Sequence, residues 1–189
     1  MLLRATLQMS YYERNLPHWH PDGRAIFLTW RLHGSLPAGF VHTLRKLKED
    51  PRKQFLEADR RLDAAATGPR WLGDPEIAGY VEAAIQRGTE LGQYVLHAYV
   101  VMPNHVHMLL EPRVALRRIT GGIKGVSARD ANATLSRTGK PFWQNESFDH
   151  WIRDGAQLER TRVYIERNPV KAGLAKHPEE WLWSSARTR

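Results

Sequence analysis

Two histidines set the chemical problem. They lie in Val101-Met102-Pro103-Asn104-His105-Val106-His107-Met108-Leu109-Leu110-Glu111. This run reads as the end of one strand, a Pro-Asn turn and a second strand. Successive strand side chains point to opposite faces, so His105 and His107 share one face while Val106, Met108 and Leu110 fill the other. Two imidazoles side by side on a rigid strand make half of a divalent-metal site. A structural role stands beside that reading: two buried imidazoles can also be packing groups, provided each finds a hydrogen-bond partner.

The other half would come from Thr161-Arg162-Val163-Tyr164-Ile165-Glu166-Arg167-Asn168-Pro169. On a helix, residues four apart share a face, which aligns Arg160, Tyr164 and Asn168. Asn168 offers an amide oxygen, a hard ligand suited to Mg²⁺ or Mn²⁺. Tyr164 would place a phenolic oxygen beside that metal. A phenol is a poor nucleophile at neutral pH and needs a metal or base to activate it. A tyrosine on an amphipathic helix is also, more commonly, a core residue.

The elements that must position these groups follow from the rest of the chain. Its 189 residues suit one domain and a substantial core. There is no cysteine, which excludes disulfides, thiolate metal sites and cysteine nucleophiles. The start Met1-Leu2-Leu3-Arg4-Ala5-Thr6 is too briefly apolar for a signal peptide, and no apolar run is long enough to span a bilayer. The expectation is a soluble, intracellular protein. The formal charge of +8 and seven tryptophans, with a pI of about 10.0, suit a single-stranded nucleic-acid partner. A merely basic soluble protein is the alternative.

Residues 1–24 read as a basic and aromatic arm. It carries Arg14 and a second pair, His18 and His20, in a proline-punctuated segment with no clear strand pattern. That pair reads as packing or nucleic-acid contact, not as metal ligands. A strand is expected over 25–33. A helix should start near Gly39 or Phe40 (Phe40, Leu44, Leu47 and Lys48 set its first spacing), with Pro51 interrupting it and Phe55, Leu56, Arg60 and Leu62 continuing the pattern. Asp74 and Pro75 can open another helix. The stretch 48–92 reads as a helical insertion without a recognisable motif. Strands over 94–102 and from His105, a helix over 114–137, a short irregular strand near 142–152 and a helix over 156–168 complete the order. Pro169 should end or bend that last helix. The result is α+β: a ferredoxin-like split βαβ, βαββαβ with an antiparallel sheet, and an added C-terminal helix carrying Tyr164. Arg117, Arg118, Lys124 and Arg129 could meet phosphates or simply form a solvated helix face.

The ordered set of motifs resembles the HUH single-tyrosine transposases of bacterial insertion sequences, and most of all the REP-associated tyrosine transposases. The resemblance is carried by Val101 to Leu109, by Phe148-Asp149-His150-Trp151-Ile152-Arg153, and by Tyr164 to Leu174. Leu16 to Pro21, Phe27 to Leu32 and the tail Trp181-Leu182-Trp183-Ser184-Ser185 also carry it. It implies a transposase domain over 25–175, followed by a basic, aromatic tail over 176–189. It implies that His105 and His107 bind Mg²⁺ or Mn²⁺ with Asn168 as third ligand, and that Tyr164 attacks DNA, leaving a 5′-phosphotyrosine linkage and a free 3′-hydroxyl. The implied partner is single-stranded DNA beside a REP-type hairpin, met in the bacterial cytoplasm at the nucleoid. A monomer is favoured over a homodimer. Asp149 and His150 could tune the metal or a proton, or hold their loop by hydrogen bonds. Two other readings stay open: a non-catalytic DNA-hairpin-binding protein, and a metal-dependent phosphodiesterase that uses water.

Overall fold

The sheet is built on its most apolar strand. In a computed structural model the described residues are 9–13, 17–21, 23–40, 42, 51–64, 67–145 and 147–188. Strand β3 (Ile26–Arg31) is buried along nearly its whole length, as befits a strand covered on both faces. It lies between β5 (His105–Pro112) and β6 (Phe148–Trp151), while β4 (Tyr94–Val101) forms the outer strand beyond β5. All three pairings are antiparallel. The order β4-β5-β3-β6 is that of the split βαβ arrangement expected from sequence.

Alternation along the strands separates two cores. Ile26, Leu28, Trp30, Val106, Met108 and Leu110 face one side, where α2 (Pro75–Glu90) and α3 (Leu116–Thr134) cover them. Asp74 opens α2 as expected, its side chain accepting from the Glu76 N–H. Phe27, Val100 and Leu109 face the other side and pack with Phe55 of α1 (Pro51–Ala64) and with Leu158, Tyr164 and Ile165 of α4 (Gly155–Glu166). The stretch expected as a helical insertion is therefore integral to both layers. Helix α2 is the crossover helix of the fold, and α1 roofs the opposite face. Helix α1 is described from Pro51 onward; the interruption expected at Pro51 and the spacing expected over Leu44, Leu47 and Lys48 fall on residues 43–50, outside the described residues.

Helix α4 stops at Glu166, and a four-residue helix, α5 (Asn168–Lys171), follows the break at Arg167. Pro169 has no N–H to donate to the Ile165 carbonyl, so the helix cannot continue unbroken. Gly173 closes this segment at φ +70°, with its N–H donating to the Val170 carbonyl. The tail then lies along β4. Val101 N–H donates to the Trp183 carbonyl at 2.8 Å, and the Trp181 indole donates to the Val101 carbonyl at 3.0 Å. It thus shields the sheet's outer edge.

The arm contains a hairpin: β1 (Met9–Glu13) pairs antiparallel with β2 (Pro17–Pro21). The proline-punctuated segment with His18 and His20 is thus a strand, corrected from the loop expected. Prolines are tolerated there because a two-stranded ribbon is all edge. Arg14 lies outside the described residues. Among those described, no helix is long and apolar enough to cross a membrane.

Candidate active site

The register of β5 against β3 sets the first two side chains. Thr29 pairs with His107, and Arg31 with His105. Both histidines project toward the α1 and α4 side, and both are fully buried. The register also brings Thr29 Oγ1 to 2.7 Å from His107 Nδ1. His105 Nδ1 lies 2.6 Å from Asn104 Oδ1, and the Asn104 amide nitrogen donates to the Leu62 carbonyl of α1 at 2.9 Å. That bond fixes the Asn104 oxygen as an acceptor, so His105 carries its proton on Nδ1 and turns the Nε2 lone pair inward.

Helix α1 supplies the third member. Phe55, Asp59, Leu62 and Asp63 follow helical spacing on the face turned to the sheet. Asp59 Oδ1 lies 3.1 Å from His107 Nε2 and 3.7 Å from His105 Nε2. The two Nε2 atoms are 3.1 Å apart. One ligand atom from each of Asp59, His105 and His107 falls within 4.8 Å of the others, and all three residues are buried. Burial, helped by His107, pushes the His105 imidazole down to about 3, so it stays neutral. Burial alone would raise Asp59, but His107 and His105 outweigh it and hold this carboxyl below the usual range.

The donor set fits a divalent cation. With a proton on His107 Nε2, a chain of bonds runs from the Thr29 hydroxyl through His107 and His105 to Asn104. Moving that proton to His107 Nδ1, where Thr29 Oγ1 can accept it, turns both Nε2 lone pairs toward Asp59 Oδ1. That oxygen is itself buried without a hydrogen bond. Two imidazole nitrogens and a carboxylate oxygen are a common set for divalent metals.

Tyr164 reaches the same carboxylate. Its hydroxyl donates to Asp59 Oδ2, and its ring lies 5.8 Å from that of His107. Burial, then the Asp59 charge, raise the phenol's pKa above its ordinary value. Asn168, on α5 and not on α4, is fully buried. Its Nδ2 lies 3.4 Å from His107 Nε2, while its Oδ1 has no hydrogen bond. A half-turn of the amide exchanges the two atoms. Lys171 bonds Asp63 at 2.7 Å and lies 3.6 Å from Asp59. Asp63 Oδ1 comes within 3.9 Å of His105 Nε2.

The other expected residues divide. Asp149 and His150 line an open groove of about 720 Å³ beside Tyr164. The His150 ring bonds the Gln157 amide at 3.0 Å, which supports the loop-holding alternative. Arg117, Arg118, Lys124 and Arg129 all lie on α3, behind the sheet from the histidines, so they are not part of this site. Arg129 bonds Asp130, and Lys124 donates to the Gln144 and Asn145 carbonyls. Asp59, Asp63, Lys171, Thr29 and Asn104 are the residues that sequence reasoning missed. Asp59 and Asp63 did leave a signal, two acids four apart on an otherwise apolar helix face.

No curated protein matches the sequence. The fold is similar to the structure of a REP-associated tyrosine transposase bound to a REP hairpin, with a TM-score of 0.59, 20% identity, and 95% of this chain and 84% of that chain covered. A Deinococcus radiodurans protein named as a transposase aligns over 89% of this chain and 97% of its own, at 16% identity and a TM-score of 0.36, too low to bear on the fold. Residues 71–168, just over half of the chain and including His105, His107, Tyr164 and Asn168, match the IS200-like transposase family. The chain belongs to the IS200-like transposase family.

Proposed function

We propose that this protein is a metal-dependent single-stranded DNA nickase and strand transferase of the REP-associated type, acting beside REP-like hairpins. One observation carries the reading: Asp59 accepts a hydrogen bond from Tyr164 with one oxygen and faces the His105 and His107 Nε2 atoms with the other. Nucleophile and cation-holding groups thus share one carboxylate.

His105, His107 and Asp59 would hold Mg²⁺ or Mn²⁺, with Asn168 beside them as a further oxygen donor. A cation bound there would supply Lewis-acid polarisation of the scissile phosphate. Tyr164 Oη forms a bond to phosphorus, the bond from phosphorus to the 3′ oxygen breaks, and that oxygen takes up a proton. Asp59 Oδ2 is placed to receive the phenolic proton as the new bond forms. The phosphotyrosine linkage retains the diester's bond energy, so attack by a 3′-hydroxyl can rejoin a strand. Tyr164 reaches the histidines of its own chain, which supports a monomer with a complete site. A DNA substrate places the protein at the nucleoid. The hairpin preference is supported by the REP hairpin bound to the similar transposase.

The test is a denaturing gel with labelled hairpin DNA from the flanks of the gene, with Mg²⁺, Mn²⁺ or chelator. A metal-dependent, protease-sensitive adduct that disappears in Tyr164→Phe is expected. An adduct that persists in Tyr164→Phe would sink the nucleophile. Cleavage without adduct would favour water chemistry, and specific binding without cleavage would favour a non-catalytic hairpin binder.

A further inference from the structure

The groove beside Tyr164 has a composition that metal chemistry does not require. Its inner wall is aromatic. Phe55 and Phe148 stack with centroids 4.3 Å apart and planes 22° from parallel, and Phe27 meets them edge-on at 5.3 and 6.3 Å. Phe55 and Phe148 are half-buried, and both line the groove. Arg153 and Arg160 line the same groove together with Asp149 and Asp154, and both arginines are exposed. A second groove of about 350 Å³ continues past Tyr164, where Arg160, Arg167 and Lys171 line it. Tyr164 and Arg160 belong to both. Among the described residues, no carboxylate pairs with Arg153, Arg160 or Arg167.

We propose that the aromatic groove is a subsite for one unpaired base of a DNA strand, with the flanking phosphates held by Arg153 and Arg160 and the strand running on over Arg167. The inference rests on the reading that a DNA strand reaches Tyr164, and it names which part of that strand the protein grips. An aromatic surface accepts the π-face of any base, whereas guanidinium groups accept phosphate. Alternating aromatic and cationic surfaces match the alternation of base and phosphate along a single strand. The Gln157 amide and the His150 ring, paired at 3.0 Å, line the same groove and offer polar edges beside the aromatic wall. Holding one base beside the tyrosine would fix the phosphate presented to it, so the groove would select the site of nicking.

The experiment compares two probes of equal length on the full-length protein in chelator. One is a short fluorescent oligothymidylate; the other is the same backbone with every base removed. Stacking on a protein aromatic contributes roughly a 5- to 150-fold gain in affinity, and wild type is expected to prefer the base-bearing probe by that factor. Phe55→Leu and Phe148→Leu should erase most of the preference without weakening the abasic probe, while Arg160→Gln should weaken both probes alike. Equal binding of the two probes by wild type, which needs no variant to fold, would overturn the proposal. So would a preference that survives in both phenylalanine variants with unchanged thermal melts. Adduct formation on hairpin DNA is scored separately. Its failure with the base preference intact would remove the nickase reading and leave the subsite standing; adduct formation with no preference would do the reverse.

Discussion

Replacing Asp59 by asparagine isolates the carboxylate that joins the two halves of the site. The change keeps shape and volume but removes a charge and substitutes an N–H₂ donor for one oxygen. In cation-free protein this forfeits the preference of the fold for an ionised carboxyl at this position. The new amide can donate to the His105 or His107 lone pairs, its oxygen can still accept from Tyr164, and Lys171 keeps Asp63 at 2.7 Å. The repulsion that Asp59 imposes on Asp63 also disappears; that neighbour's pKa is raised, first by burial and then by Asp59. Stability in chelator is expected to fall below wild type, and the cation response is read as the rise from each protein's own chelator baseline. With cation the two responses should part. At a concentration about 100 times Kd, a cation that binds only the folded state stabilises it by about 2.7 kcal/mol. For a chain of this size that is roughly 5–10 °C in Tm. Wild type should show this rise with Mn²⁺, and Asp59→Asn should show little of it. Differential scanning fluorimetry in chelator and in a Mn²⁺ series, with calorimetric titration, reads both quantities. A variant that keeps the full Mn²⁺ shift would refute the assignment of Asp59 as a cation donor. If Asn168→Ala then lost the shift, the third donor would be Asn168.

Three further outcomes follow from neighbouring contacts. Thr29→Val cannot accept the His107 Nδ1 proton that the cation-ready tautomer needs, so Mn²⁺ affinity should fall roughly 10- to 100-fold by calorimetry; unchanged affinity would mean that another group fixes the ring. Asp154 accepts from the Gln157 N–H at the start of α4, so Asp154→Ala should lower stability in urea by about 1 kcal/mol. Gly88 is a packing requirement on the far face: a Cβ there would come within 2.4 Å of the Tyr94 hydroxyl, which itself donates to the Ile85 carbonyl. Gly88→Ala should cost about 1–3 kcal/mol in the same assay despite alanine's better helix propensity, and a neutral result would show that Tyr94 can move aside.

The sequence by itself determined what depends on local geometry. Period-two alternation put His105 and His107 on one face, because neighbouring side chains on a strand have no other choice. Pro169 broke the last helix where its missing N–H demanded it. The strand and helix order, with short hairpins and longer crossovers, left the split βαβ sheet as the natural assembly. Only the tertiary structure decided which face each helix covers. Both α1 and α2 are amphipathic and both lie between β3 and β4, so their own patterns cannot say which one meets the histidines. The packing of α1 with Phe27, on the histidine side, brings Asp59 to its oxygen-nitrogen distance of 3.1 Å from His107, across a sequence separation that carries no periodic signal. The same reason hid the shared carboxylate beneath Tyr164. A helix face is legible in sequence, but what it is pressed against depends on long-range packing, and the site exists only where α1, β5 and α4 meet.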